Sequence, residues 1–360
     1  MEQIHGGNIY EVGQRYKLRP EMILDFSSNI NPLGPSPRVL RALRSHLRWI
    51  SRYPEIYASS LTRDLARFHD LPEETLVVGN GSTALIYRLP SVLRAKTALV
   101  LHPTFSEYER AFGLGGCRID VLLREEEQGF RPPWQRLFEA LRRGYDAVML
   151  CNPNNPTGDV IGPAELCEFV EEAGRVGTVV IVDEAFMDFQ EEASLKHEVL
   201  QRGNLIVLRS MTKCFALAGL RLGFLAASPP LAKRVREADE PWAVSALAQI
   251  AGRESLKDRN YLRRTLALIP TERRYLVEHL ANLPGLTVFP SVTNYLLLKI
   301  TRPGWDTARV QQALIHYGIL IRDCTSFPGL GGAFMRIAVR GRNDNGRLIS
   351  ALNTVWQQDA

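Results

Sequence analysis

The scarcities in this sequence exclude more than its abundances suggest. Its five cysteines, Cys117, Cys151, Cys167, Cys214 and Cys324, are odd in number and show no CxxC spacing. That argues against a disulfide framework or a zinc site, so reduced thiols in a cytoplasmic setting and no metal are expected. No run approaches the roughly 18 apolar residues of a membrane span. The start, MEQIHGGNIYEVG, has no apolar signal-peptide core, so a soluble protein off the membrane is expected. Charge is nearly balanced, 44 Lys+Arg against 39 Asp+Glu, and the excess is scattered, which gives nucleic acid nothing to bind. GNGST at Gly79 to Thr83 does not supply GxGxxG, which argues against a dinucleotide-binding oxidoreductase. Internal repeats and low-complexity linkers are also missing.

What is present is organised around Lys213. VLRSMTKCFALAGLRLGFLAA, Val207 to Ala227, reads as an apolar strand, a polar turn with one lysine, a glycine-broken segment and a second apolar strand. A surface loop would tolerate any lysine; an interior one must be paired or put to chemical use. Ser210, Thr212 and Arg221 place two hydroxyls and a guanidinium beside that amine. An amine next to an anion site suggests a Schiff base to a phosphorylated aldehyde, pyridoxal 5'-phosphate.

At 360 residues the chain can build a large core, as two domains or one large and one small. Glycine, proline, asparagine and serine punctuate the first 50 residues, which predicts an extended arm laid over another surface. Ser36 before Pro37 predicts a helix over Pro37 to His46. Next, VVGNGSTALIYRLPSVL (Val77 to Leu93) predicts a strand, a glycine turn and a helix beginning near Ser82. Gly81, Ser82 and Thr83 could form either an ordinary cap or a phosphate cradle there. Strands TALVL, CRIDVL, DAVML, TVVIVD and NLIVLRS then alternate with helical stretches, which predicts a mostly parallel sheet covered on both faces. Ligands bind beyond the carboxyl ends of such strands. A long helical stretch over Val244 to Asn282, kinked or interrupted at Pro270, leads to a smaller α/β unit.

Polar residues fall where strands end. Asn155 follows one strand in CNPNNPTG, a turn fixed by its prolines, and could present an amide to a cofactor oxygen. Asp183 and Glu184 close another strand; Asp183 comes first and suits a pyridinium nitrogen, while Glu184 points the other way if the extended phase persists.

GNGST, CNPNNPTG, VDEAF (Val182 to Phe186), SMTKCFALAGLRLG (Ser210 to Gly223) and MRIAV (Met335 to Val339) resemble, in order and over nearly the whole chain, the fold-type I, aspartate-aminotransferase-like pyridoxal-phosphate enzymes. The resemblance implies an α/β large domain with a mostly parallel seven-stranded sheet and a smaller α/β domain. It divides the chain into 1–49 (arm and part of the small domain), 50–270 (cofactor-binding) and 271–360 (small domain). It further implies that Lys213 carries the cofactor, Asp183 pairs with the ring nitrogen and Asn155 contacts the ring oxygen. Phe105 would stack on the ring, with Tyr108 as a stand-in, and Gly81, Ser82, Thr83, Ser210, Thr212 and Arg221 would hold the phosphate. Tyr53 would reach that phosphate across the interface of a homodimer with shared active sites. Arg336, helped by Asn31, would grip a substrate α-carboxylate. Two branches that handle phosphorylated substrates look most similar: histidinol-phosphate aminotransferases and L-threonine-O-3-phosphate decarboxylases. HGGNI, LDFSSNINPLG, RYPE, DEAF and RIAVR resemble the decarboxylase pattern; transamination stays open as the alternative. A small phosphorylated amino acid would need a second anion site, for which His5, Arg322 and Arg340 are the candidates.

Overall fold

The computed structural model describes residues 6–357. The N-terminal segment is not extended throughout. Ile9–Tyr16 forms a helix whose Asn8 cap accepts from the Glu11 amide. The glycine and proline signals fall on either side of this stretch, which leaves it room to coil. A short strand, β1 (Leu24–Asp25), then pairs in parallel with Ile319–Leu320, so the arm is stitched to the far end of the chain. Pro37–His46 is helical, with the Ser36 hydroxyl accepting from the Val39 amide as its spacing predicts.

Seven strands make the main sheet: β2 (Leu76–Asn80), β3 (Thr97–His102), β4 (Arg118–Leu123), β5 (Ala147–Cys151), β6 (Val179–Asp183), β7 (Leu205–Ser210) and β8 (Leu222–Ala227). Their order is β2-β8-β7-β6-β5-β3-β4, and only β8 runs against its neighbours. Alternate residues of one strand feed opposite faces. Val180 and Val182 pack with Leu166 and Phe169 on one side, while Ile181 packs with Leu85 and Phe112 on the other. Apolar residues on both faces are what a sheet covered twice by helices requires.

Of the kink or interruption expected at Pro270, the interruption does not occur there. The break is at Asp258, whose carboxylate caps the helix Arg259–Leu280 by accepting from the Tyr261 amide; Pro270 sits inside that helix. A capping side chain makes a new start, whereas an interior proline forfeits one backbone bond that flanking burial of Ile269 and Leu276 outweighs. Tyr261 joins the core of the main sheet and Ile269, Leu276 and Leu280 join a second core, so one helix runs through residue 270.

That second core lies against an antiparallel sheet of β9 (Leu286–Val288) and β10 (Tyr295–Ile300) with two later strands. The GILIRD run divides into two short strands, β11 (Ile319–Leu320), the partner of β1, and β12 (Arg322–Asp323). β12 pairs with β13 (Phe334–Ala338), which sets Arg322 directly opposite Arg336. The helix Arg342–Gln357 completes the described chain. Among the described residues no helix is long and apolar enough to cross a membrane.

Candidate active site

Because β5, β6 and β7 are parallel and adjacent, their carboxyl ends deliver Asn155, Asp183 and Lys213 to one cavity of about 380 Å³. Phe105, from the turn after β3, and Arg322 and Arg336, from the small sheet, complete its walls.

One end of the cavity is a cradle of donors. Ser82 and Thr83 open the helix Gly81–Leu93; Ser210 and Thr212 lie 2.7 Å apart, hydroxyl to hydroxyl, and Arg221 stands beside them. Two glycines permit this convergence. A Cβ on Gly81, which has φ +77°, would lie 2.8 Å from the Arg221 guanidinium. A Cβ on Gly223 would lie 2.4 Å from the Ser82 amide nitrogen. Gly81 therefore makes room behind Arg221 and is not itself on the cavity wall. Hydroxyls, a helix N-terminus and a guanidinium suit a phosphate group.

Asp183 is buried with both oxygens engaged: Oδ2 accepts from the Tyr108 hydroxyl at 2.7 Å and Oδ1 from the Ala185 amide at 3.0 Å. Burial nevertheless raises its pKa to about 6. The neighbouring Glu184 does face away, accepting from Ser194, Leu195 and Arg209 beneath the site. Lys213 is half-buried, and burial, aided by Arg336 and Arg221, lowers it to about 8 against the pull of Asp183. An amine so placed is a nucleophile near neutrality. The rate at which cofactor-free protein takes up pyridoxal phosphate, followed by absorbance, is expected to rise about tenfold per pH unit up to about pH 8 and then level off. A rise continuing to pH 10.5, the ordinary lysine value, would contradict the site's electrostatics.

At the opposite wall Arg336 donates through Nη1 to Asn155 Oδ1 and through Nη2 to the Ser27 carbonyl at 2.7 Å, while its buried Nε has no partner. The bond from Arg336 leaves the Asn155 NH2 without a protein acceptor among the described residues. Arg322 donates to the Ser326 hydroxyl and lies over the Phe327 ring. Among the described residues no carboxylate pairs with either guanidinium.

Several expected site residues are elsewhere. Asn31 is buried behind the Lys213 loop: its Nδ2 lies 2.8–2.9 Å from the Cys214 carbonyl and the Tyr261 and Thr265 hydroxyls, and its Oδ1 accepts from Leu33. The amide is spent on holding the arm to that loop, and Ser27, Ser28 and Asn29 line the cavity instead. Arg340 does not converge with Arg322 and Arg336. Its Nε donates to Asp344 and its Nη1 to the Asp25 carbonyl, with the guanidinium over Phe26. Tyr53 is 82% exposed, stacked at 4.7 Å on Trp242 and outside the cavity of this chain. Tyr108 is no stand-in for Phe105, because it sits beneath Asp183 and meets Phe105 edge-on. His5 lies outside the described residues. Among the described residues no cluster of side chains could hold a metal ion.

An amine, an adjacent anion cradle and a facing buried acid fit pyridoxal phosphate, and the comparisons agree. Over 356 residues, 98% of this chain and 96% of the relative, the sequence is 38% identical to threonine-phosphate decarboxylase from Salmonella typhimurium. The solved histidinol-phosphate aminotransferase from Clostridium acetobutylicum superposes with a TM-score of 0.86 at 26% identity, covering 92% of this chain and 99% of that one. L-threonine-O-3-phosphate decarboxylase from Porphyromonas gingivalis superposes with a TM-score of 0.82 at 27% identity, covering 91% and 98%. Residues 21–352 match the profile of aminotransferase class I and II, and with cavity, sheet order and profile in accord, this chain belongs to that family.

Proposed function

We propose that this protein is a pyridoxal-phosphate-dependent carboxy-lyase that converts L-threonine O-3-phosphate to (R)-1-amino-2-propanol O-2-phosphate and carbon dioxide, supplying the aminopropanol unit of cobalamin biosynthesis. The observation that carries this reading is the cross-strand pair Arg322 and Arg336, two buried guanidiniums without carboxylate partners facing the lysine. They suit one small molecule bearing both a carboxylate and a phosphate. The 38% identity to a threonine-phosphate decarboxylase supports the choice among such molecules.

The cofactor would be held by Lys213, by the Ser82, Thr83, Ser210, Thr212 and Arg221 cradle, by Asp183 at the ring nitrogen, by the Asn155 amide at the ring oxygen and by Phe105 on the ring face. Bound there, it supplies an electron sink for the pair left on the α-carbon when carbon dioxide departs. The protein's part is orientation and proton handling. A guanidinium clamped on the carboxylate would stabilise the charge that must be lost and slow the reaction. Arg336 offers a restrained grip, because two of its nitrogens already serve Asn155 and Ser27. Arg322 takes the phosphate and thereby fixes rotation about the bond from nitrogen to α-carbon, which decides whether carboxylate or hydrogen leaves. Once carbon dioxide has left, the α-carbon needs a proton in its place. Lys213, lowered to about 8 and so able to take a proton from solvent and give it up near neutrality, can deliver it.

A second copy of the chain completes the site in this reading, with the exposed Tyr53 reaching the partner's phosphate cradle. Leu47, Trp49, Ile50, Ile56 and Tyr57, all exposed nearby in sequence, supply apolar surface for that contact.

Arg322→Ala is expected to lower kcat/KM for L-threonine O-phosphate about 30- to 150-fold, as loss of a buried charged contact does. It should also raise abortive transamination relative to decarboxylation; an unchanged product ratio would remove the orienting role. The reading as a whole is tested by carbon dioxide release from L-threonine O-phosphate without a keto-acid acceptor. Glutamate formation from histidinol phosphate and 2-oxoglutarate, with no carbon dioxide from the first substrate, would place the reaction in the aminotransferase branch.

A further inference from the structure

We propose that Tyr108 is a positioning residue: by donating its hydroxyl hydrogen to Oδ2 of Asp183 it keeps that carboxylate ionised, so that the proton shared with the cofactor ring stays on the ring nitrogen. This inference rests on pyridoxal phosphate being the group held. It does not depend on which phosphorylated amino acid is the substrate.

The geometry allows few alternatives. Tyr108 is fully buried on the helix Glu107–Leu114, and its hydroxyl meets Asp183 Oδ2 at 2.7 Å. Three further groups bear on the Asp183 carboxylate. They are the Ala185 amide on Oδ1, Cys151 at the paired position of β5, and Lys213 from the loop after β7. Glu184 is turned to the other side of the sheet, toward Arg209. Cys151 is held as a neutral thiol by burial, at about 12, and donates to the Pro153 carbonyl. Burial and the nearby Asp183 charge both raise the Tyr108 pKa, so the phenol remains a donor throughout the working pH range. A protonated Asp183 could keep this contact only by donating to the phenol oxygen, and the phenol's hydrogen would then lose the carboxylate as its acceptor. The contact therefore favours the charged acid.

Were the proton to move from the ring nitrogen to Asp183, the ring would lose the positive charge that makes it an electron sink. Tyr108 acts against that transfer through its hydrogen bond to the carboxylate. A residue in this place adjusts the strength of the sink without occupying the cavity's reactive centre.

The test is Tyr108→Phe, which keeps the ring and its edge contact with Phe105 and removes only the hydroxyl. In full-length cofactor-free protein with carboxyl-labelled aspartate, the Asp183 resonance, assigned by its loss in Asp183→Asn, is expected to titrate near pH 6 in the parent. In Tyr108→Phe it is expected to titrate about one pH unit higher or more. In holoenzyme carrying ring-nitrogen-labelled cofactor, the nitrogen resonance should move toward the unprotonated position. Tyr87→Phe is the control, because its hydroxyl donates to the adjacent Glu107 and not to Asp183. An Asp183 titration in Tyr108→Phe that coincides with those of the parent and the control overturns the proposal, whatever happens to turnover. Failure of the decarboxylase assignment would appear in the product assay and leave this titration unaffected.

Discussion

Lys213→Ala is expected to reduce carbon dioxide release from L-threonine O-phosphate at least about 10³-fold, the loss associated with removing a group that acts as both nucleophile and acid–base. Among the cavity-lining residues it is the one that brings an amine. A misfolded variant would give the same assay result, and the site's electrostatics separate the two. In the cofactor-free protein Lys213 titrates near 8, below its ordinary 10.5, so folding disfavours its charge. The cost is complete below about pH 8 and is relieved as pH rises through the interval up to 10.5. Alanine removes it. Cofactor-free Lys213→Ala is thus expected to be more stable than the parent at pH 7, by up to about 3 kcal/mol, with the advantage vanishing above pH 10.5. Denaturant melts at two pH values measure this. Dead enzyme with a raised midpoint identifies chemistry; dead enzyme with a lowered midpoint would contradict the burial of the amine.

Asp183→Asn should follow, with kcat lowered about 10²- to 10³-fold, the scale found when one preorganised electrostatic group is removed from an active site. Asparagine preserves shape, and with its oxygen accepting from the Ala185 amide its NH2 can donate to the Tyr108 oxygen, so the change is chiefly one of charge. The sign of its pH dependence is the reverse of the lysine's. Asp183 titrates near 6 in the folded protein against 3.8 ordinarily. The parent therefore carries no penalty below pH 3.8, loses stability as pH rises from there to about 6, and carries the full penalty above. Cofactor-free Asp183→Asn is expected to match the parent near pH 4 and exceed it above pH 6, on the order of 3 kcal/mol. A variant less stable than the parent at pH 7 would sink this account. Both substitutions illustrate why a catalytic centre weakens the fold that holds it.

The main sheet was legible because its strands are short apolar runs with polar residues at their carboxyl ends, and parallel pairing then has to gather those ends. Asn155, Asp183 and Lys213 meet for that reason. The small-sheet arginines were half legible. Arg336 and Arg322 lie within strands, and the register puts them opposite one another. Arg340 lies just past β13, where Asp344 on the following helix captures it, a local competitor that strand reading does not weigh. The arm was least legible. In DFSSNIN no periodicity says which polar side chains face inward, and Asn31 goes to the interior while Ser27 and Ser28 face the cavity. Pro270 misled because helix ends follow caps such as Asp258 as much as they follow prolines.

The opposed guanidiniums of β12 and β13 also bear on how the protein is handled in solution. Burial and the neighbouring Arg322 charge hold Arg336 down to about 10, so the two residues resist being side by side until an anion joins them. Inorganic phosphate or sulfate in a purification buffer would relieve that repulsion, raise the melting temperature in proportion to the logarithm of its concentration, and occupy the place the substrate needs. The buffer that best preserves this enzyme on the shelf is then also its inhibitor in the assay.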